Sequence, residues 1–397
     1  MADKPRFDGE RVKLGDLCGV CSGGTPKRSV SEYWNEGSIP WVKISDISGK
    51  FVSSTEELIT EAGLKGSSAK LLAPGTLLYS IFASIGAVGI LKIPAATNQA
   101  IAGLSIKTDR IERDYLYHFL KSRESLAKSS GRGAAQNNIN LTILRGMEVP
   151  VPAIGEQKAI VEQLEIIAAQ IKQAETQLDQ LDSLVKSRFI EMFGGALSIE
   201  NKWDSSILEN CVESLESGKS PSCKNVSRKG LDPGVLKLSA LSSGRFLPGE
   251  NKAMLDGETI IQAKEVKQGD ILVARKNTPQ LVGSCVLVRE DVTNLMFPDI
   301  VFRMHPNDSV NGEYLAALLS SPSYSSKVRG LAHGSNKSMS NIPKSELAKL
   351  SIPLPPLSLQ QEFADFVAAV DKSRFIAQQQ IDKLQTLYDS LAQEYFA

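Results

Sequence analysis

MEVPVPAIGEQKAIVEQLEIIAAQIKQAETQLDQLDSLVKSRFIEMF (residues 147–193) decides the fold, because the chain carries this stretch twice. Residues 350–396 read LSIPLPPLSLQQEFADFVAAVDKSRFIAQQQIDKLQTLYDSLAQEYF. The match extends upstream, so that residues 138–193 align without a gap with 341–396 at an offset of 203. Asn138-Ile139 matches Asn341-Ile342, Leu144 matches Leu347, Gln157 matches Gln360 and Phe193 matches Phe396. A repeat on this scale is stronger evidence of architecture than any local motif. It predicts one globular-plus-helix unit present in two copies.

Each copy runs through a proline knuckle into a long heptad pattern. After Pro152 the apolar residues fall at Ile160, Leu164, Ile167, Ile171, Ala174, Leu178, Leu181, Val185 and Met192. The second copy gives Phe363, Val367, Val370, Ala377, Ile381, Leu384, Tyr388, Leu391 and Tyr395, with Arg374 where the first has Ile171. Spacings of three and four mark a coiled-coil seam, and these are the candidate residues for helix pairing and partner docking. Gly194-Gly195 end the first helix. About 38 residues at ~1.5 Å each make a rod of roughly 57 Å. Two such stripes most economically cover each other. The connection from the first helix into the second globular segment is short, about ten residues, which favours an antiparallel pair with a globular domain at each end.

The globular segments share an apolar skeleton and differ in their polar residues. Ser22-Gly23 parallels Ser217-Gly218, and Trp41-Val42-Lys43-Ile44-Ser45 parallels Val235-Leu236-Lys237-Leu238-Ser239. Pro74-Gly75-Thr76-Leu77-Leu78 parallels Gln268-Gly269-Asp270-Ile271-Leu272. Each segment reads as short strands and turns, then a helix near 112–127 or 312–328, then a polar loop into the knuckle. The expected class is α+β: two tandem pseudo-repeated α/β domains, residues 1–155 and 196–355, joined by two long antiparallel coiled-coil helices, residues 156–195 and 356–397. One scaffold with two surfaces implies two versions of one kind of ligand.

Composition narrows the classes. Hydrophobic residues make up 42% and charged residues 23% of the chain, as in soluble globular proteins. No secretory leader is read at the N-terminus, so the five cysteines are expected as reduced thiols in a cytoplasm. Cys18-x-x-Cys21 has zinc spacing, but no second pair follows it and the three histidines are scattered, so no metal site is expected. Residues 71–91 lack charge over a membrane-spanning length. Pro74-Gly75 would break a helix there, and the matching residues 266–288 carry Lys267, Asp270, Arg275 and Lys276. Two buried strands joined by a turn explain both copies, and no membrane segment is expected.

Net charge is zero, yet unevenly placed. Residues 1–155 hold 19 Lys+Arg against 15 Asp+Glu and residues 196–355 hold 19 against 17, whereas the helices hold 4 against 7 and 3 against 6. That polarity suits DNA contact by the globular segments, with part of the affinity coming from a partner.

No phosphate loop, His-Glu-x-x-His, adenine-gripping Asn/Asp-Pro-Pro-Tyr/Phe or Gly-x-Ser-x-Gly motif occurs. Asp270 beside Arg275-Lys276 imitates a nuclease group but reads as surface charge. Binding residues are more visible. Residues 131–138 (GRGAAQNN) and 333–341 (HGSNKSMSN) occupy the same place in each repeat and are rich in groups suited to base edges and phosphates. They nominate Arg132, Gln136 and Asn137 in the first copy, and Asn336 and Lys337 in the second. Lys43 with Ser45, and Lys237 with Ser239, recur as either scaffold or a shared phosphate contact. Arg275-Lys276-Asn277 replaces Ile81-Phe82-Ala83 and is a candidate for sequence discrimination.

The two Pro-x-Pro-x-(Ile/Leu)-x-x-Gln entries at residues 150–157 and 353–360, the heptad helices after them, and the Trp41-Val42-Lys43-Ile44-Ser45-Asp46 and Gly269-Asp270-Ile271-Leu272-Val273 strands carry a resemblance. Over essentially its whole length the chain resembles the specificity subunit of type I restriction–modification enzymes. That resemblance implies two target-recognition domains, each reading half of a split, asymmetric site in double-stranded DNA, held at a fixed gap by the helix pair. It also implies docking of two adenine-methyltransferase subunits and, through them, restriction/translocase subunits. S-adenosylmethionine, ATP and magnesium are then expected on those partners, with no cofactor in this non-catalytic chain.

Overall fold

The computed structural model describes residues 9–82, 86–129, 139–195, 199–333 and 339–396. The chain divides into two compact units, Met1–Thr176 with Gln378–Ala397, and Gln177–Ala377. Each unit therefore takes a globular segment, part of its own long helix and part of the other long helix.

In the first unit the central sheet has five strands in the order Cys18–Ser22, Ile101–Ile106, Leu77–Ser80, Val88–Leu91 and Phe51–Val52. Its first four strands pair antiparallel, and the edge strand Phe51–Val52 runs parallel to its neighbour. A three-stranded sheet, Glu57–Ile59, Ile39–Val42 and Ala96–Thr97, lies apart from it, and Arg11–Lys13 pairs with Glu148–Pro150. Residues 71–91 thus supply two antiparallel strands, Leu77–Ser80 and Val88–Leu91, every residue of them buried. Among the described residues no helix is long and apolar enough to cross a membrane.

The second unit repeats this plan. Its four-stranded sheet runs Val212–Ser217, Val301–Pro306, Ile271–Ala274 and Cys285–Leu287, and its three-stranded sheet runs Asn251–Ala253, Gly234–Leu236 and Leu295–Met296. The paired glycines explain part of the shared skeleton. A Cβ on Gly23 would meet the Asn98 carbonyl at 2.2 Å, and one on Gly218 the Phe297 carbonyl at 2.1 Å. Neither position tolerates a side chain.

The two copies differ in the helix that precedes the knuckle. Arg113–Ser129 is continuous, but the expected helix near 312–328 is broken into Gly312–Ser320 and Pro322–Gly330. Pro322 has no amide hydrogen and forces Ser321 into an extended backbone (φ −63°, ψ 149°), which ends one helix and caps the next.

The knuckle glutamines are the clasp of each repeat. Gln157 is fully buried, accepts from the Glu112 amide at 2.8 Å, and donates to the Arg110 and Pro152 carbonyls at 2.9 and 2.8 Å. Gln360 is equally buried, accepts from the Asn311 amide at 2.8 Å and donates to the Pro355 carbonyl at 2.7 Å. Tyr115 donates to the Pro150 carbonyl at 3.0 Å, and Tyr314 to the Pro353 carbonyl at 2.9 Å. Proline supplies these acceptors because its knuckle is not part of a helix ladder.

From the clasps, the long helices Ile154–Phe193 and Leu357–Phe396 run 40 residues each. In the first unit Ile160, Leu164 and Ile167 share a core cluster with Tyr115, Leu116, Phe119, Tyr388, Ala392 and Phe396, with Ile171 and Leu384 packed at its margin. In the second unit Phe363 and Val367 meet Phe189, Phe193 and Tyr314. There the helices run antiparallel: Arg188 pairs with Glu362 at 2.8 Å, and Asp182 with Arg374 at 2.6 Å. Leu178 and Val370 are buried, while Leu181 and Ile381 are half-buried. Arg374 therefore breaks the apolar seam in order to clamp the opposite helix, with Asp371 and Asp182 as its carboxylates.

Candidate nucleic-acid interface

Three classes of nominated residue separate once their neighbours are known. Arg132, Gln136, Asn137, Asn336 and Lys337 lie outside the described residues. Lys43 and Lys237 belong to the second class. Each sits just beyond the central strand of its three-stranded sheet, and each is neutralised internally. Lys43 pairs with Glu56 at 2.6 Å and Glu57 at 2.9 Å. The hydrogen bond to Glu56, and then that to Glu57, raises the Lys43 pKa. Lys237 approaches Glu250 at 3.7 Å, and Ser239 donates to the same carboxylate at 2.6 Å. The Ser239 bond, and then the charge of Lys237, lowers the Glu250 pKa. Ser45 is exposed in the 3-10 turn Ile44–Asp46. In each copy the recurrent lysine thus faces a carboxylate at or next to the neighbouring strand, Glu57 in the first and Glu250 in the second.

Arg275, Lys276 and Asn277 form the third class. Lys276–Asn277 makes a two-stranded ladder with Ser340–Asn341, in the register Lys276 with Asn341 and Asn277 with Ser340. The Ile342 amide donates to the Arg275 carbonyl at 2.9 Å, and His333 pairs with Asn341. Two sequence-distant candidates, the 275–277 turn and the described ends of the 333–341 loop, are therefore brought to one ledge. The first unit has the same junction, with the Ile139 amide donating to the Ile81 carbonyl at 3.0 Å. Its side chains there are Ile81, which is buried, and Phe82, which is exposed. The backbone device is common to both repeats, and among the described residues of these two turns the second carries cations where the first carries Ile81 and Phe82.

The Arg275 guanidinium donates through Nε to Asn341 Oδ1 at 3.2 Å and through Nη1 to Ser217 Oγ at 3.4 Å. It lies 5.2 Å from the Phe302 ring centroid. Among the described residues no carboxylate pairs with Arg275 or Lys276, in contrast to Lys43 and Lys237. Asn277 is 8% exposed; its Oδ1 accepts from the Thr278 amide at 2.8 Å, and its Nδ2 has no partner among the described residues.

Asp270 corrects the sequence reading. It is buried rather than a surface charge, and it accepts from the Lys267 amide at 2.8 Å. Its neighbours are the Arg303 guanidinium at 3.5 Å and the His305 ring at 3.6 Å, not Arg275 and Lys276. Burial raises its pKa. The matched turns explain this: Gly75 (φ +88°) and Gly269 (φ +87°) bend the chain alike, and Thr76 or Asp270 follows under the turn. Cys18 and Cys21 stand three apart on one strand, so their side chains leave opposite faces and cannot share an ion.

The first unit also holds a buried polar relay that sequence patterning missed. His118 Nδ1 lies 2.7 Å from the Tyr388 hydroxyl and Nε2 lies 2.9 Å from Glu165 Oε1. A carboxylate accepts only, so Nε2 carries the proton and Nδ1 accepts from Tyr388. Lys50 pairs with Glu165, and with Asp114 at 3.1 Å. Burial lowers the His118 pKa, and the His118 hydrogen bond holds Glu165 down to about 2. By the alignment, the corresponding residues of the second unit are Ala317, Ala368 and Val185, which cannot form such a relay. The signal in the sequence was this mismatch between copies.

The comparisons with known proteins agree with the doubled plan. The family profile described as type I restriction modification DNA specificity domain matches residues 8–183 and again 201–386. A type I restriction enzyme specificity subunit from Escherichia coli is 34% identical over 158 residues, 38% of this chain and 39% of that protein. One from Methanocaldococcus jannaschii is 31% identical over 192 residues, 47% of this chain and 44% of its own length. These two alignments span less than half of the relatives they match. A third, from Escherichia coli K12, is 22% identical over 392 residues, covering 94% of this chain and 83% of that subunit. The fold is also that of a solved Mycoplasma genitalium S subunit (TM-score 0.50, 12% identity, 100% and 98% coverage). A structure described under complex assembly and conformational transition of the type I R-M system has TM-score 0.51 at 17% identity, covering 98% of this chain and 97% of that one.

Proposed function

We propose, from the premise that this chain belongs to the type I restriction–modification DNA specificity family, that it is the sequence-reading subunit of such an enzyme. Each globular part reads one half of a split, asymmetric site in double-stranded DNA. The long helices set the unread gap and dock two adenine-methyltransferase subunits, through which restriction/translocase subunits join. The chain itself performs no chemistry; S-adenosylmethionine, ATP and magnesium belong to the partners, and the assembly works in the cytoplasm.

One observation carries this reading: the same clasped scaffold occurs twice, with different side chains at the same loop junction. Ile81 and Phe82 stand in one copy where Arg275 and Lys276 stand in the other. A conserved frame with exchanged surface chemistry suits two different half-sites on one kind of ligand. The charge partition supports it, since both globular segments are net basic and both helices net acidic.

Long-read methylation mapping of cells that express the chain with its methyltransferase tests the reading. The expected result is one two-part motif with a fixed gap. Exchanging residues 1–150 for those of another family member should change one half-site; a change in both halves would contradict modular reading. Adding four residues to each long helix, ~6 Å of rise, should alter the tolerated gap, and an unchanged gap would show that the helices are not the ruler.

A further inference from the structure

We propose that the ledge carrying Arg275 and Lys276 grips an acceptor-only group of DNA: the O6/N7 edge of a guanine or a backbone phosphate oxygen. This rests on the DNA-reading assignment above and adds the chemistry of one contact.

Two features of the ledge converge on an acceptor. Arg275 is fixed but not neutralised. Asn341 and Ser217 take Nε and one Nη1 hydrogen, and the Phe302 ring lies against the guanidinium, so among the described residues Nη2 and the rest of Nη1 have no partner. A preset fork of this kind matches two adjacent acceptors. Lys276 adds a second cation on the adjoining residue, held in register by its ladder with Asn341. Asn277, on the opposite face of the ladder from Lys276, points inward, and its buried Nδ2 has no acceptor among the described residues. Its amide orientation is set because Oδ1 accepts from the Thr278 amide.

The alternative ligand classes fit poorly. Cytosine offers a donor in the major groove, and an adenine edge presents one donor with its acceptor. A ledge that supplies donors only would meet the exocyclic amine of either base unfavourably. Guanine O6 and N7 are both acceptors, and phosphate oxygens are acceptors that also carry charge. The first unit supplies the internal contrast. Its equivalent turn carries Ile81 and Phe82 in place of Arg275 and Lys276, so among the described residues this contact belongs to the second unit.

The test uses the full chain assembled with its methyltransferase subunits, with Arg275→Ala, Arg275→Lys and Lys276→Ala variants. Methylation mapping first gives the wild-type motif. A duplex carrying that motif and a scrambled duplex then serve as probes for fluorescence anisotropy at several salt concentrations. If the group is a guanine edge, Arg275→Ala relaxes one position of one half-site and weakens specific binding on the order of 10- to 100-fold. Lysine does not restore it, because an ammonium lacks the fork. If the group is a phosphate, the motif stays intact, both duplexes lose affinity alike, the salt slope falls by about 1, and lysine restores binding.

Unchanged motif, affinity and salt slope in an Arg275→Ala complex that melts like wild type would overturn the proposal. Should that variant melt lower, Lys276→Ala is the second reading: it must lower the salt slope, and an unchanged slope would equally overturn the ledge. A wild-type complex that yields no two-part motif would overturn the DNA-reading assignment itself, which is a distinct result.

Discussion

Replacing Gln157 by alanine removes the three hydrogen bonds that fasten the first long helix to its globular part. The Glu112 amide and the Arg110 and Pro152 carbonyls lose their partner at a site that is fully buried. At about 1 kcal/mol net for each bond, the loss is roughly 3 kcal/mol. In a unit of about 200 residues, a shift of 2–4 °C per kcal/mol makes this roughly 6–12 °C in melting temperature. Gln360 makes two such bonds, to Asn311 and Pro355, so its alanine variant should lose about 2 kcal/mol, or roughly 4–8 °C, in the transition of the second unit. Scanning calorimetry of wild type and both variants measures this, with exposed Gln173→Ala as the control, expected within about 0.5 kcal/mol of wild type. Melting within about 1 °C of wild type for both buried variants would refute the clasp, and so would a larger loss at Gln360 than at Gln157.

Tyr388→Phe should destabilise the first unit by about 1–3 kcal/mol, because His118 Nδ1 is then buried without a donor; a neutral result in urea unfolding would show that the relay is not formed. Acid should weaken the same unit. His118 and Glu165 both have folded pKa values below their ordinary 6.5 and 4.5, so the unfolded chain binds more protons as pH falls. Stability is lost below about pH 6.5 through His118 and between about 4.5 and 2 through Glu165. Melting temperature plotted from pH 7 to 5 should therefore fall less steeply for His118→Ala than for wild type, and parallel curves would contradict the assignment. Lys43→Ala should change DNA affinity less than about twofold, since its charge is already matched by Glu56 and Glu57; a loss equal to that of Arg275→Ala would reinstate it as a DNA contact.

The parts of the fold that were legible in the sequence are those written in periodicity and duplication. The seam from Ile160 to Met192 and its copy from Phe363 to Tyr395 fixed two long helices, because burial along a helix must recur every three or four residues. The strands within residues 71–91 and 266–288 followed from comparing copies, since a charged copy cannot share a membrane span with an uncharged one. The break at Ser321-Pro322 was visible in composition but was read through as one helix. Asp270 was misplaced because a carboxylate one residue after a turn glycine looks solvated until its partners, Arg303 and His305, are brought in from a strand more than thirty residues away.

The candidate site was less legible. Lys43 and Lys237 look alike in the sequence and are alike in structure, each paired with carboxylates at the start of the neighbouring strand: Glu56 and Glu57 in one copy, Glu250 in the other. Ser217 and Asn341 join Arg275, and Ser340 joins Asn277, only through tertiary packing. His118, Glu165 and Tyr388 are separated by 47 and 223 positions in the chain, and no local pattern marks them as a group.

By itself, the sequence determined that one unit occurs twice, where each long helix begins, and which strands and helices are shared. Those are properties of spacing along a chain, and spacing is what a sequence records. Only the tertiary structure decided which charges remain for a ligand. A lysine or arginine is neutralised by whatever carboxylate the fold carries to within a few ångströms, and that distance is set by strand register and packing among residues remote in sequence. On that criterion Lys43 and Lys237 are matched by carboxylates, and among the described residues Arg275 and Lys276 are not.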